Sequence, residues 1–427
     1  MSYSRVKVAV RVRPFTAAEK VIDPRGCVFM QENVTVLSRG AERRQFTYDY
    51  SLWSHDSFAV EEGVYYKDSD ESKYQDQTAV FEAVGQPALH NALKGFHACV
   101  FAYGQTGSGK SYTMVGDQAN PGLIPLFCQE LFSWADEAAA SNRSLDVEVQ
   151  IFEIYNEHLT DLLSEELPEP AITVQETPAG VYIDGLVSVG VRNYHELEEA
   201  MTRGNARRTQ AATAMNDTSS RAHTIYRLVL TQTAQRSDEV LNCEVNLVDL
   251  AGSERVGETG VTGVRFKEGT HINLSLSNLR AVIAALTSNH THVPYRDSQL
   301  TFILKNALGG NSKTAMVATI SPAMLNYSQT LSTLRYAQQV KFIENAAVVN
   351  LSVLNPETVR MRSAVALATE QLTQREALIA QLNDELEALR KGVESDLNDR
   401  SSRLPRLNTA SDTARSSVKR SCACVVF

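Results

Sequence analysis

Residues 104 to 111 read Gly-Gln-Thr-Gly-Ser-Gly-Lys-Ser, which fills every position of the phosphate-loop pattern G-x-x-x-x-G-K-[ST]. The apolar stretch before it, 97 to 103, has the composition of a buried strand, the context such a loop needs. The chemistry implied is the cradling of a nucleoside triphosphate. Gly104, Gly107 and Gly109, with Gln105, Thr106 and Ser108 among them, let the backbone curl so that its N–H groups converge on a β-phosphate. Lys110 is placed to reach the β- and γ-oxygens of ATP, and the Ser111 hydroxyl to ligate Mg²⁺. A glycine-rich turn ahead of a helix is the plainer alternative, and the residues downstream argue against it.

In 242 to 250, NCEVNLVDL, alternation gives way to an apolar run ending in Asp249, the place for an acid that holds Mg²⁺ through water at the end of a parallel strand. Gly252 follows, and its amide could sense a γ-phosphate at close range. Between the two motifs, Asn216-Asp217-Thr218-Ser219-Ser220-Arg221 offers hydroxyls and a guanidinium in a polar loop, although by itself it also reads as a helix-capping cluster.

These motifs need strands whose carboxyl ends meet. The expected fold is therefore α/β: a three-layer α/β/α domain with a mixed, mostly parallel central sheet and the nucleotide at the carboxyl ends of its strands. A chain of 427 residues, 43% hydrophobic and 21% charged, has material for one large globular domain and an appendage. Cys27, Cys99, Cys128 and Cys243 are scattered, and Cys422 and Cys424 stand together. No spacing suggests zinc or a disulfide framework, which fits a reducing compartment. The start has arginines inside its apolar run, and no segment has the length of a membrane span, so a cytoplasmic location is expected.

The chain resembles the kinesin motor domain, and is most similar to the kinesin-three (axonal vesicle transporter) subfamily. The matching blocks are VRVRPF (10 to 15), FAYGQTGSGKSYTM (101 to 114), EIYNEHLTDLL (153 to 163), NDTSSRAH (216 to 223), LVDLAGSERVGETG (247 to 260), FKEGTHINLSLSNL (266 to 279), VPYRDSQLT (293 to 301), LGGNSKTAMVATISP (308 to 322) and LSTLRYA (331 to 337). The resemblance implies a microtubule-stimulated ATPase. It places Arg11, Arg13 and Pro14 around the adenine, with Tyr112 stacking there, and makes 216 to 221 and 249 to 254 the two switches. Asn216 and Ser219 would bind nucleotide. Arg221 and Glu254 would close the switches as a salt bridge, with Ser220 and Glu254 orienting water. Positioning and electrostatics then suffice, without a covalent intermediate.

A net charge of −9 is the wrong sign for the acidic microtubule surface, so binding must come from a local patch. No nucleic-acid partner is expected. The resemblance puts the patch on Arg265, Lys267, a helix from about 273 to 286, Arg296 and Lys305. Leu274 stands where relatives usually carry lysine, Gln299 departs from another lysine pattern, and the loop TSNHTH (287 to 292) lacks a lysine-rich insertion. Weaker, salt-sensitive binding follows. The acidic insert GVYYKDSDESKYQDQ (63 to 77) reads as a solvated surface loop.

The expected organisation is a motor domain over 1 to 341, a neck linker over 342 to 356, a helical neck over 357 to 391 and a flexible basic tail over 392 to 427. Within the linker, 346 to 349 could pair with a cover strand at 3 to 6, with Asn350 as a latch. The motor's N-terminal position implies plus-end-directed travel. In the neck, Val365, Leu372, Ile379 and Leu386 recur every seven residues, with Ala368, Leu382 and Leu389 between them and Arg375 interrupting, which supports either a weak homodimer or a single amphipathic helix. The last four residues, Cys424-Val425-Val426-Phe427, form a C-a-a-X sequence suited to prenylation. The basic tail and Cys422 supply second signals for the cytosolic face of a membrane. A motor that carries membrane and a slow microtubule–membrane tether are both compatible with these features.

Overall fold

Alternating side chains along extended strands sort the core into two halves. In the computed structural model, strand β1 (Lys7–Val12) sends Val8, Val10 and Val12 into one hydrophobic cluster and Ala9 into the other. The described residues are 2–140, 143–165, 171–177, 180–214, 221–234, 239–254, 264–288, 290–353, and, within a helical segment, 371, 374–375, 378–383 and 385–391. After β1 the central sheet takes up β2 (Tyr50–Trp53), β3 (Ala98–Tyr103), β4 (Arg143–Tyr155), β5 (His158–Asp161), β6 (His223–Ala234), β7 (Glu239–Asp249) and β8 (Lys313–Ile320). Their spatial order is β5-β4-β6-β7-β3-β8-β1-β2.

The sheet is mixed. β7, β3, β8, β1 and β2 run parallel, whereas β6, β4 and β5 join antiparallel. The central parallel strands β3 and β1 read as near-continuous buried runs because both their faces are covered. Helices α1 (Gln86–Leu93), α2 (Lys110–Met114), α3 (Leu123–Ala140) and α4 (Tyr194–Ala214) bury residues such as Leu89, Met114, Phe127 and Leu197 on one face. Helices α5 (Val264–Thr287), α6 (Gln299–Ile303) and α7 (Tyr327–Val340) bury Leu279, Leu300 and Leu334 on the other. The three-layer expectation holds.

Register then builds the site. Asp249, at the end of β7, lies beside Ala102 of the parallel β3, so the loop after Tyr103 and the acid at Asp249 emerge together at the carboxyl edge. The linker also takes a strand. Glu344–Ala347 pairs antiparallel with Ser2–Arg5, two residues earlier in the linker and one residue earlier at the N-terminus than expected from the sequence. Asn350 does act as a latch: its backbone N–H and Nδ2 both donate to the Gly95 carbonyl, at 2.8 and 3.0 Å, and its Oδ1 accepts from Asn311 at 2.8 Å.

The chain divides into two compact units, 1–354 and 355–427. In the second, the described helical residues leave Ile379, Leu382, Leu386 and Leu389 exposed. Val365, Ala368, Leu372, Cys422, Cys424 and the basic tail lie outside the described residues. No helix among the described residues is long and apolar enough to cross a membrane.

Candidate nucleotide site

Gly109 joins the phosphate loop to α2 at φ 99°, a conformation that would strain a residue bearing a Cβ. The Lys110 side chain folds back into the loop it follows, and its Nζ donates to the carbonyls of Gly104 and Gln105, both at 3.0 Å. Only 7% of Lys110 is exposed, and burial lowers its pKa against the raising effect of Asp249 and Glu254. Ser111 Oγ donates to Asp249 Oδ2 at 2.5 Å. Burial raises the pKa of the Asp249 carboxyl, and its other oxygen, Oδ1, is buried without a hydrogen-bond partner.

That orphaned oxygen beside a hydroxyl is the arrangement a hydrated divalent cation would complete. The residues therefore fit Mg²⁺ held by Ser111 directly and by Asp249 through water. Among the described residues there is no group of three or more His, Cys, Asp or Glu able to bind a metal.

Two pockets meet here. One, of about 310 Å³, is lined by Thr106, Gly107, Gly109, Lys110, Ser111, Tyr112, Leu250 and Arg208. The other, of about 350 Å³, is lined by Arg11, Arg13, Pro14, Ser54, Tyr65, Tyr74, Ser108, Gly109, Tyr112, Thr113 and Asp117. Gly109 and Tyr112 belong to both, so the two pockets adjoin, as a phosphate chain in the first and a base in the second would require. Arg208 reaches in from α4 and was not singled out from the sequence; its only signal there was a pair of arginines shortly before the polar loop.

Arg11 and Arg13 line the second pocket by different means. Arg11 is 4% exposed and donates to Ser54, Gln77 and Thr113 at 2.9, 2.6 and 3.0 Å, with its guanidinium 5.4 Å from the Tyr112 ring centroid. Arg13 is committed to a brace: it donates to the Gly107 carbonyl at 2.5 Å and makes two bonds of 2.7 Å to the Glu19 carboxylate. Glu19 also closes a capping box with Thr16, worth about 1 kcal/mol to the helix that follows. Burial pushes the Glu19 carboxyl up, but the bonds from Arg13, Thr16 and Ser321 outweigh it and hold the pKa at about 2.

The insert from 63 to 77 is exposed over most of 63–73, as expected of a solvated surface segment, but it is not only a loop. Phe58–Glu61 and Val64–Lys67 form a hairpin, Tyr74 is 2% exposed, and Tyr65 and Tyr74 line the second pocket. Tyr65 and Tyr74 within the acidic stretch turn toward the pocket, which its net charge concealed.

The segment after β7 is strapped to the phosphate loop. The Ser253 N–H donates to the Gly104 carbonyl at 3.0 Å, and the Glu254 carboxylate accepts from the Thr106 N–H at 2.8 Å and from the Thr106 hydroxyl. A Cβ on Gly252 would collide with Thr106 Oγ1 and sit 2.5 and 2.6 Å from the Glu254 oxygens. The structure thus places Glu254 on the phosphate loop. Asn216, Ser219 and Ser220 lie outside the described residues, and Arg221 begins the next described stretch.

His223 was also missed. Its Nδ1 accepts from the Ala251 N–H at 3.0 Å, which leaves Nε2 to donate to Ser275 on α5 at 2.8 Å. Burial, aided by Lys110, lowers its pKa to about 3, so the ring is neutral and its tautomer is set by these bonds. Further along α5, Arg280 donates to the Tyr103 hydroxyl and the Ser253 carbonyl at 2.7 and 2.9 Å. Two side-chain contacts therefore fasten the segment after β7 to α5.

Of the expected surface patch, Arg265 and Lys267 belong to α5, but their side chains are outside the described residues. Arg296 and Lys305 both pair with Glu176 on the hairpin formed by Thr173–Thr177 and Gly180–Asp184, Arg296 at 3.0 Å. Leu274 is 43% exposed.

Fold and site together define a P-loop α/β nucleotide-binding domain. The chain belongs to the kinesin family: the family model described as the kinesin motor domain matches residues 11–343. It is 44% identical over 401 residues to Kinesin-like protein KIF13B of Homo sapiens, covering 88% of this chain and 21% of that protein. It is 43% identical over 399 residues to Kinesin-like protein KIF16B of Mus musculus, covering 84% of this chain and 29% of that one. These relatives bear out the kinesin-three resemblance. The chain spans about a fifth to a third of the length of the curated relatives it matches. Among solved structures, it is similar to a KIF14 dimer in a two-heads-bound state, with AMP-PNP and in complex with a microtubule. The TM-score is 0.74 with 41% identity, covering 84% of this chain and 100% of that one. A structure described as a fast kinesin gives a TM-score of 0.72 with 36% identity, covering 82% and 95%.

Proposed function

We propose that this chain is a microtubule-stimulated ATPase that converts ATP hydrolysis into plus-end-directed movement. The observation that carries the reading is the double attachment of residues 251–254, to the phosphate loop through Gly104 and Thr106 and to α5 through His223 and Arg280. A group that closes on Gly252 moves a segment already tied to a second helix. When bound, Mg²⁺ supplies charge neutralisation at the transferring phosphoryl group. Lys110 and Arg208 hold the phosphates, Ser111 and Asp249 hold the cation, and Ser220 with Glu254 orients the attacking water. Membership in the kinesin family and the likeness to microtubule-bound KIF14 support tubulin as the partner. The latched linker strand supports the direction, since it gives residues 344–350 a defined path along the motor.

The tether reading has its own support in Glu176. This carboxylate occupies Arg296 and Lys305, two cations of the expected tubulin-facing patch, and they hold its pKa below the usual carboxylate range. Glu176→Gln is expected to tighten microtubule binding about threefold and to raise its salt dependence, as measured by cosedimentation over a salt series. Unchanged affinity would place these pairs outside the contact surface.

Membrane attachment through Cys424 and Cys422 rests on the Cys-Val-Val-Phe sequence and the arginines before it. The deciding experiment measures ATP turnover with and without microtubules and gliding of polarity-marked filaments, with vesicle recovery of wild type and Cys424→Ser as its membrane arm. Stimulated turnover with plus-end gliding is expected. Binding without either would establish the tether, and equal vesicle recovery of the two forms would remove the lipid anchor.

A further inference from the structure

The hairpin Phe58–Lys67 is built as a rigid piece. Glu62 and Gly63 at its tip both take positive φ, 51° and 86°, the geometry of a two-residue turn whose twist matches the flanking strands. Strand alternation then divides its side chains. Val64 and Tyr66 are exposed at 43% and 40%, while Tyr65 between them lines the pocket that also contains Arg11, Tyr74 and Tyr112. Phe58 packs behind, with its ring centroid 5.2 Å from both Tyr65 and Tyr74.

The hairpin is also hooked to the pocket it walls. The Tyr65 N–H donates to Asn120 Oδ1 at 3.0 Å, and Asn120 Nδ2 donates to the Gly63 carbonyl at 2.9 Å. The Asn120 carbonyl accepts from Gln77 Nε2 at 3.2 Å, which also donates to the Tyr112 carbonyl at 2.6 Å. Gln77 Oε1 accepts from Arg11 at 2.6 Å. One hydrogen-bonded chain thus runs from the hairpin tip to two residues expected around the base. A pocket walled by three tyrosines, with a cation over one of them, suits a flat aromatic base such as a purine.

We propose that the hairpin is a retaining wall for the nucleoside, and that Tyr65 contacts the base and sets how fast nucleotide leaves. The inference rests on the ATP site described above and adds to it a residue that governs residence time. The ring, not the hydroxyl, carries the effect, because the polar work at this end of the pocket is done by Asn120, Gln77 and Arg11.

The experiment is stopped-flow release of a ribose-labelled fluorescent ADP from the full chain, chased with excess ATP. Tyr65→Ala is expected to release it about tenfold faster, the scale of one lost stacking contact, and to raise the KM for ATP by a similar factor with kcat little changed. Tyr65→Phe should keep the wild-type rate, and so should Tyr66→Ala, which alters the opposite face of the same hairpin. Release from Tyr65→Ala within twofold of wild type would overturn the proposal. Equal acceleration by Tyr65→Ala and Tyr66→Ala would also overturn it, since a loosened hairpin would then be the cause. A wild-type chain that takes up no labelled ADP would overturn the nucleotide site and the wall with it.

Discussion

Lys110→Ala is expected to lower ATP turnover by about 10³-fold or more, measured as phosphate release at saturating microtubules, while leaving the melting temperature close to wild type. The two halves of that result have separate causes. Lys110 is the buried cation lining the pocket proposed for phosphate, and its removal would withdraw positive charge from the point where negative charge would accumulate during transfer. Its partners in the protein are the two loop carbonyls, with Asp249 and Glu254 acting at longer range. Burying an ammonium costs free energy that such contacts only partly return, so its loss is tolerated in the folded state. Lys110→Arg should not rescue turnover, because a planar fork does not fit a position shaped for a compact ammonium. Turnover within tenfold of wild type would sink the assignment of this pocket to phosphate.

The parts of this site that were legible in the sequence are those whose chemistry is local. The phosphate loop is contiguous, and Asp249 is marked by its place at the end of an apolar run, so both could be assigned from their neighbours alone. Side chains that act across the fold left no such trace. His223 is defined by Ala251 and Ser275, and Arg208 by the pocket it enters, and neither relation has a fixed spacing along the chain. Arg13 is an intermediate case. It was expected beside the base, but the Thr16-x-x-Glu19 capping box was not singled out from the sequence, and Glu19's simultaneous claim on the Arg13 guanidinium appears only in three dimensions. The insert shows how average charge can mislead, because Tyr65 and Tyr74 sit within an acidic stretch yet build one wall of the pocket, with Phe58 packed behind them.

Arg280→Ala is expected to leave basal ATP turnover within about twofold of wild type and to cut its stimulation by microtubules about tenfold. Arg280 touches neither pocket. It joins three elements: Ser253 in the segment proposed to sense the phosphate, Tyr103 at the end of the strand feeding the phosphate loop, and its own helix α5, on which the expected tubulin contacts Arg265 and Lys267 also lie. Tyr103 in turn stacks on Tyr336 of α7 with centroids 4.2 Å apart, and α7 leads into the linker strand. On the proposed coupling, with arginine in place a displacement of α5 on a filament would be transmitted to Ser253 and Tyr103 as a pull on charge-assisted hydrogen bonds. With alanine, the link through His223 and Ser275 remains, so the helix stays attached but loses its hold on the residues that flank the phosphate. Lysine can donate to one acceptor but cannot span both with the geometry of a guanidinium, so Arg280→Lys should fall between wild type and alanine. A purely structural role would lower basal and stimulated rates together, whereas a coupling role separates them, and the ratio of the two rates distinguishes these possibilities.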